Sequence, residues 1–192
     1  MTNKYERVSH QGKRLDAYTL FGLREAERRF GGPFTITQGG YNGGAVSASA
    51  GTHNGGGVVD ISTRAMSSGE KREAVRALRE AGFAAWLRTP DQGDWPEHIH
   101  AVQLGNAKRS PSAKRQAEAY RRGLNGLANG RRDDGPRVKI RVLPYTPPQP
   151  ARPRVAKALA AVNNALEHAK AKSTKRRLTE ARTALRKAKA GK

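Results

Sequence analysis

The sequence predicts an α+β protein: a small antiparallel sheet with flanking helices, followed by a C-terminal basic helical hairpin. Three observations predict it. Short runs rich in β-branched and aromatic residues, "FTITQ", "GVVDIS", "GFAAWLR" and "HIHAVQL", are separated by glycine signals and by segments of helical period. Five prolines then fall between Pro144 and Pro153, a semi-rigid linker that ends the domain. Beyond them, apolar residues recur in steps of three and four, the seam of a coiled-coil type of packing. The expected organisation is a domain over 1–143, a linker over 144–153 and a basic helical tail over 154–192.

Each element has its own signal. Asp16 can cap a helix running to about Phe30, with Leu20, Leu23, Ala26 and Phe30 on one face and a stop at Gly31-Gly32-Pro33. "FTITQ" follows as a short strand. The segment 39–57 holds eight of the 21 glycines, too flexible for a regular element and suited to backbone that approaches a ligand closely. "GVVDIS" reads as a buried strand. Ser67 or Ser68 caps a second helix to about Ala81, with Ala74, Val75, Leu78 and Ala81 inward, and "GFAAWLR" and "HIHAVQL" return as strands. Ser110-Pro111 is an N-cap followed by proline at the first helical position, opening a helix to about Arg122. "GLNGLANGRRDDG" reads as a surface loop and "RVKIRVL", alternating basic and apolar, as an edge strand. In the tail, Val155, Leu159, Val162, Leu166 and Ala169 form one seam and Leu178, Ala181, Leu185 and Ala188 another, with a break near Ser173-Thr174.

Charge narrows the partners without naming one. The chain carries 37 Lys+Arg against 16 Asp+Glu, a formal net of +21, of which 13 basic and 2 acidic residues fall in 151–192. Such a field attracts polyanions: nucleic acid, teichoic acids or an anionic membrane surface. Nucleic-acid binding rests on charge alone, since no zinc knuckle, RNP-type aromatic signature or helix-turn-helix pattern accompanies it. No apolar run has signal-peptide or membrane-spanning length, so the expectation is a protein made in the cytoplasm that something else carries out. With no cysteine, disulfides and thiolate metal sites are excluded, and a metal must be held by histidine and carboxylate.

Two short motifs carry chemistry. "THNGGGVVDIS" places His53 seven residues before Asp60, and "WPEHIHAV" places His98 and His100 two apart. A lone buried histidine is commonly a satisfied structural residue. Asp60, however, sits inside an otherwise apolar strand, where an ionised carboxylate is costly unless a cation or good hydrogen bonds compensate. His53, Asp60 and His100 supply the three N/O ligands that catalytic zinc takes, leaving one position for a water whose pKa the metal lowers to about 7. His98 and His100 share a face if 97–104 is a regular strand, which favours His98 as general base. If Pro96-Glu97 belongs to a turn, Glu97 can swing in instead. Trp95, Trp86 and Tyr41 are candidates for the walls of a groove, although Trp86 in "FAAWLR" reads first as plain core.

The segment His53-Asn54-Gly55-Gly56-Gly57-Val58-Val59-Asp60 resembles the H-x-x-G-x-A-x-D motif of the D-Ala-D-Ala metallopeptidases, which share their fold with lysostaphin-type enzymes and the hedgehog signalling domain. Gly56 matches the motif glycine, and Val58 stands where a small residue is usual. Glu97-x-x-His100 is similar to the E-x-W-H of the carboxypeptidase and endolysin branch, with Ile99 in the place of Trp, and His98-x-His100 to the H-x-H of the lysostaphin-type branch. The resemblance covers about residues 30–105. It implies a hedgehog/DD-peptidase-like fold, Zn2+ held by His53, Asp60 and His100, and a base at Glu97 or His98.

Family members usually carry an arginine before the first ligand to hold a substrate carboxylate or carbonyl. This chain has "TITQGGYN" there, with Gln38 or Tyr41 in its place. The resemblance therefore implies a peptidoglycan endopeptidase rather than a strict carboxypeptidase, acting on bacterial peptidoglycan as a phage or phage-like lysin or tail-associated enzyme. The basic tail is expected to dock on a phage or injection-particle protein or an anionic wall polymer. A different class of reading keeps the peptidase fold as an inactive wall-binding or structural virion component.

Overall fold

The computed structural model describes residues 3–147, 159–162, 164 and 172–189. It forms two compact units, 1–147 and 148–192. The first is α+β. A hairpin of β1 (Arg7–His10) and β2 (Lys13–Asp16) leads into α1 (Ala17–Phe30). There follow β3 (Ile36–Gln38), β4 (Val58–Ser62), α2 (Ser68–Glu80), β5 (Phe83–Arg88), β6 (His98–Gln103) and α3 (Pro111–Arg121). The main sheet is antiparallel throughout, in the order β3-β4-β6-β5.

The predicted caps fall into place. Asp16 accepts from the backbone of Thr19, Ser67 forms a reciprocal capping box with Glu70, and Ser110 accepts from the backbone of Ala113 with Pro111 behind it. Gly31 ends α1 in the left-handed conformation at φ 84°.

The sheet sorts its side chains by the period of two. Val59, Ile61, Phe83, Ala85, Ile99 and Ala101 face α1 and α2, which answer with Leu23, Ala26, Ala74, Val75 and Leu78. On the opposite face, Val58, Ala84, Trp86 and Val102 are covered by Ala113, Ala117 and Tyr120 of α3. That helix covers only the first part of this face. The rest of it, carrying Asp60, Ser62, His98, His100 and Arg88, borders an open cleft.

Three expectations need correction or extension. The β1–β2 hairpin was not signalled, because its turn, Gln11-Gly12 with φ of 51° and 73°, lacks the usual Asn or Asp, and its strands hold only Val8 and Leu15 as apolar residues. "RVKIRVL" is not an edge strand: residues 137–143 belong to no strand, and Ile140 and Val142 remain 43% and 53% exposed. The alternation is present, but no face buries its apolar half, and the segment is tied by the Tyr18 hydroxyl donating to Leu143 O instead. In the tail, the helix α4 (Lys172–Lys189) holds Ser173 and Thr174 in its first turn, and residues 165–171, just before it, lie outside the described residues together with the expected break. Most of the residues expected to form the first tail helix and the linker beyond Pro147 lie outside the described residues, and so does the predicted pairing of the hairpin.

Asp16 does more than cap. Its carboxylate accepts from the Thr19 hydroxyl at 2.7 Å, from the Tyr41 hydroxyl at 2.8 Å and from Asn106 Nδ2 at 3.0 Å. A Cβ at Gly56 would strike both Asp16 and Tyr41, so the glycine segment can lie against this knot only because position 56 has no side chain. Asp16→Ala removes the cap and leaves buried donors unmatched. It is expected to cost about 3 kcal/mol or more, read as a lowered midpoint in urea unfolding. A loss within about 0.5 kcal/mol would show that the knot is not a structural tie.

Candidate metal centre

Residues from all four strands meet on the cleft face in rows. Gln38 of β3 pairs with Asp60 of β4, Asp60 with His100 of β6, and His100 with Trp86 of β5. In the next row Ser62, His98 and Arg88 are aligned. Gln38 joins its row through an irregularity in β3: Ile36 pairs with Ile61 on the core face, and the register shifts before Gln38. His53 comes from the glycine segment, in a single turn of 3-10 helix over Thr52–Asn54, and is 1% exposed.

His53, Asp60 and His100 are buried and form a group that could hold a metal ion, their ligand atoms all within 4.8 Å of one another. Asp60 Oδ1 lies 2.7 Å from His100 Nδ1, and Asp60 Oδ2 lies 3.2 Å from His53 Nε2. The outer nitrogens are engaged as well. His53 Nδ1 donates to Gly39 O at 2.8 Å, and His100 Nε2 meets Gln116 Oε1 of α3 at 2.8 Å. Such outer contacts fix the tautomer and present the inner nitrogens.

The fit of this set to a cation follows from counting protons. A carbonyl oxygen only accepts, so the proton of a neutral His53 sits on Nδ1, and its bare Nε2 then faces a carboxylate oxygen. Two acceptors at that distance repel unless a positive charge lies with them. A second ring proton or a metal ion supplies it. In a site this buried, a metal satisfies both rings and the carboxylate at once.

Burial pushes the Asp60 carboxyl upward, but its hydrogen bonds and charge interactions with His100 and His53 outweigh that and hold it well below the ordinary carboxylate range. Burial lowers the His100 pKa, the bond to Asp60 opposing this only in part. A low carboxyl and a low imidazole are the deprotonated ligand forms that a metal needs.

The remaining sequence-derived candidates separate. His98 is partly exposed at the cleft, its Nδ1 donating to Pro96 O at 2.7 Å and its Nε2 3.9 Å from Asp60 Oδ1. Glu97 precedes β6 and points to other partners: its Oε1 accepts from Thr63 Oγ1 at 2.8 Å and pairs with Lys71 Nζ at 2.6 Å. The Lys71 and Thr63 hydrogen bonds lower its pKa. Trp95 lines the cleft with its ring edge-on to His98, and Gln38 lines it while donating to Ser49 Oγ. Tyr41 does not line the cleft; its hydroxyl goes to Asp16 and its ring lies under Arg7. Trp86 is both core and support, edge-on to Tyr120 and stacked on the His100 ring with centroids 6.4 Å apart.

The cleft encloses about 960 Å³ and runs past His53, Asp60 and His100 between the glycine segment and the loop after α3. Two residues that build it were not picked out from the sequence. Gln116 is an ordinary polar residue on the helix "PSAKRQAEAYR", and only the placement of α3 brings it to His100. Arg88 ends the strand "FAAWLR" and reads there as a strand boundary. No described helix is long and apolar enough to cross a membrane. Comparison with family models, with curated proteins and with solved structures finds no match for this chain.

Proposed function

We propose that this protein is a zinc-dependent hydrolase of peptide bonds in bacterial peptidoglycan, brought to the wall as a phage or phage-like lysin or tail-associated enzyme. The observation that carries the proposal is His53 held between two acceptors, Gly39 O and Asp60 Oδ2, beside His100 at the floor of an open cleft. Two imidazoles and one carboxylate suit zinc in a catalytic rather than a closed structural site. The motif spacing supports peptidase chemistry over other zinc chemistries. The basic tail then serves as the docking element, toward a particle protein or an anionic wall polymer.

The chain's own groups divide the work. Gly39 O and Gln116 hold the two metal-facing histidines in one orientation, which avoids reorganisation during reaction. When bound, zinc would supply Lewis acidity to a peptide carbonyl and make a water acidic enough to attack it near neutral pH. His98 keeps its proton on Nδ1 through the Pro96 carbonyl, so its Nε2 is free to accept a proton at the cleft and return it to the leaving amine. Glu97, neutralised by Lys71, is poorly suited to that task. Trp95 and the loop residues across from it give the groove its apolar wall.

The test uses the full-length protein on purified peptidoglycan. About one zinc per chain and release of new primary amines, abolished by chelation and restored by zinc, are expected. Release of reducing sugar without amines would replace the peptidase reading with a glycosidase one. Iron in place of zinc would point to an oxygenase, since two histidines and a carboxylate also serve iron(II).

A further inference from the structure

Two arginines are buried in this domain, and they are provided for in opposite ways. Arg79 of α2 is saturated: it donates twice to Ala85 O and once to Pro136 O, and it pairs with Asp133 at 2.8 Å. Arg88, at the end of β5, is 3% exposed and makes one hydrogen bond, from Nη1 to Asn125 O at 2.8 Å. Its Nη2 is enclosed and has no partner. A guanidinium has five N–H donors and keeps its charge, so a buried one with a single acceptor is an uncompensated cation. Of the two buried arginines, the one left in this state lines the cleft.

The surroundings of Arg88 are built to hold its plane still. The guanidinium lies over the Trp86 ring at 4.9 Å, and that same ring stacks on His100. Gly126, at φ 71°, crosses above the pair, where an added Cβ would come 3.0 Å from the Trp86 ring and 3.4 Å from Arg88 Nη2. Burial lowers the Arg88 pKa to about 10, with Asp60 and Asp133 acting only through space, so the group is still charged at neutral pH. In the sheet, Arg88 pairs with His98, one row from Asp60 and His100. The register therefore places Arg88 next to His98 and one row from the His53, Asp60 and His100 group.

We infer that Arg88 is an anion-binding residue of the cleft, and that the anion it takes is a carboxylate of the bound peptide lying next to the bond to be cut. This rests on the peptide-hydrolase reading above. A carboxylate is the anion that a wall peptide carries, and its two oxygens match the fork of a guanidinium. The consequence revises the specificity expected from the sequence. The arginine missing before His53 is not needed for a carboxylate-bearing substrate, since β5 brings one in from the other edge of the sheet. The carboxylate can be a chain terminus or a side-chain carboxylate beside the scissile bond, and the two are chemically alike to a guanidinium.

The experiment compares three probes on zinc-loaded full-length protein by calorimetry and tryptophan fluorescence. They are acetyl-D-Ala-D-Ala, its C-terminal amide, and acetyl-D-Ala-D-Glu amidated at its α-carboxyl so that its only carboxylate is on the side chain, with inorganic phosphate as the control anion. At least one carboxylate probe is expected to bind about tenfold or more tightly than the uncharged amide, the size of a charge-assisted contact. Whichever acid is preferred identifies the source. In Arg88→Gln the preference should vanish while zinc stays near one per chain, and Arg88→Lys should keep part of it.

Equal binding of acids and amide, no binding of any probe, tighter binding of inorganic phosphate, or a preference that survives Arg88→Gln would each overturn the inference, the last because the metal would then hold the carboxylate. If Arg88→Gln does not fold, the wild-type comparison and Arg88→Lys still decide. Hydrolysis is read separately. An Arg88-dependent preference in a protein that cuts no wall peptide keeps this assignment and removes the hydrolase reading. Cutting by Arg88→Gln at an unchanged KM for carboxylate substrates does the reverse.

Discussion

Replacing His53 with alanine is expected to abolish stoichiometric metal binding, and Asp60→Ala and His100→Ala are expected to do the same. Three ligands leave no redundancy, and each of the three is held by a partner of its own. His53 is anchored by Gly39 O, His100 by Gln116, and Asp60 by its place in β4 between Gln38 and His100. Metal analysis of the purified variants should fall from about one ion per chain to near zero, with affinity reduced by about 100-fold or more in titration. Asp60→Asn separates charge from shape: it keeps the side-chain volume but removes the negative charge between the two rings, and should lose the metal nearly as fully. A His53→Ala protein that retains one tightly bound zinc would show that the group is a hydrogen-bonded cluster and not a metal centre.

His98→Ala is expected to lower peptidoglycan hydrolysis by about 100-fold or more while leaving the metal content unchanged. Glu97→Ala should stay within about threefold of the wild type, since its carboxylate is committed to Lys71 and Thr63. The contrast rests on orientation. His98 shares the cleft face with His100, and the Pro96 carbonyl dictates which of its nitrogens is bare. The readout is rate of amine release at saturating substrate alongside zinc per chain, so that loss of the base is not confused with loss of the ion. If Glu97→Ala is the crippled variant, the Lys71 pair must open when substrate binds, and the division of roles between the two residues reverses.

Much of this site was legible because its residues are close in sequence or repeat with the period of a strand. Asp60 stood out as a charge in an apolar run, and His98 and His100 as neighbours on one face. A period of two places alternate residues on one face regardless of what lies around them. The same rule misleads at Gln38. By alternation it belongs with Ile36 on the core face, yet the irregularity in β3 turns it to the cleft beside Asp60. Tyr41 failed for a related reason. It lies next to the glycine segment in sequence, but φ of 57° at that residue sends its hydroxyl to Asp16. "RVKIRVL" does alternate, but alternation makes a strand only where a neighbouring strand takes its backbone, and none of the described strands does.

The α+β class, the caps of the three helices in the domain, the faces of β4 and β6, and the residue types able to hold a metal are all legible along the chain. Those are local properties, set by caps that reach three residues and by periods that repeat within one element. Tertiary structure alone decided which distant groups meet: that Gln116 orients His100, that Glu97 is consumed by Lys71, and that Arg88 rather than a residue before His53 brings a cation to the cleft. The physical reason is that these contacts join different elements, whose relative placement follows from how α1, α2 and α3 cover the two faces of one sheet. No spacing along the chain encodes that distance.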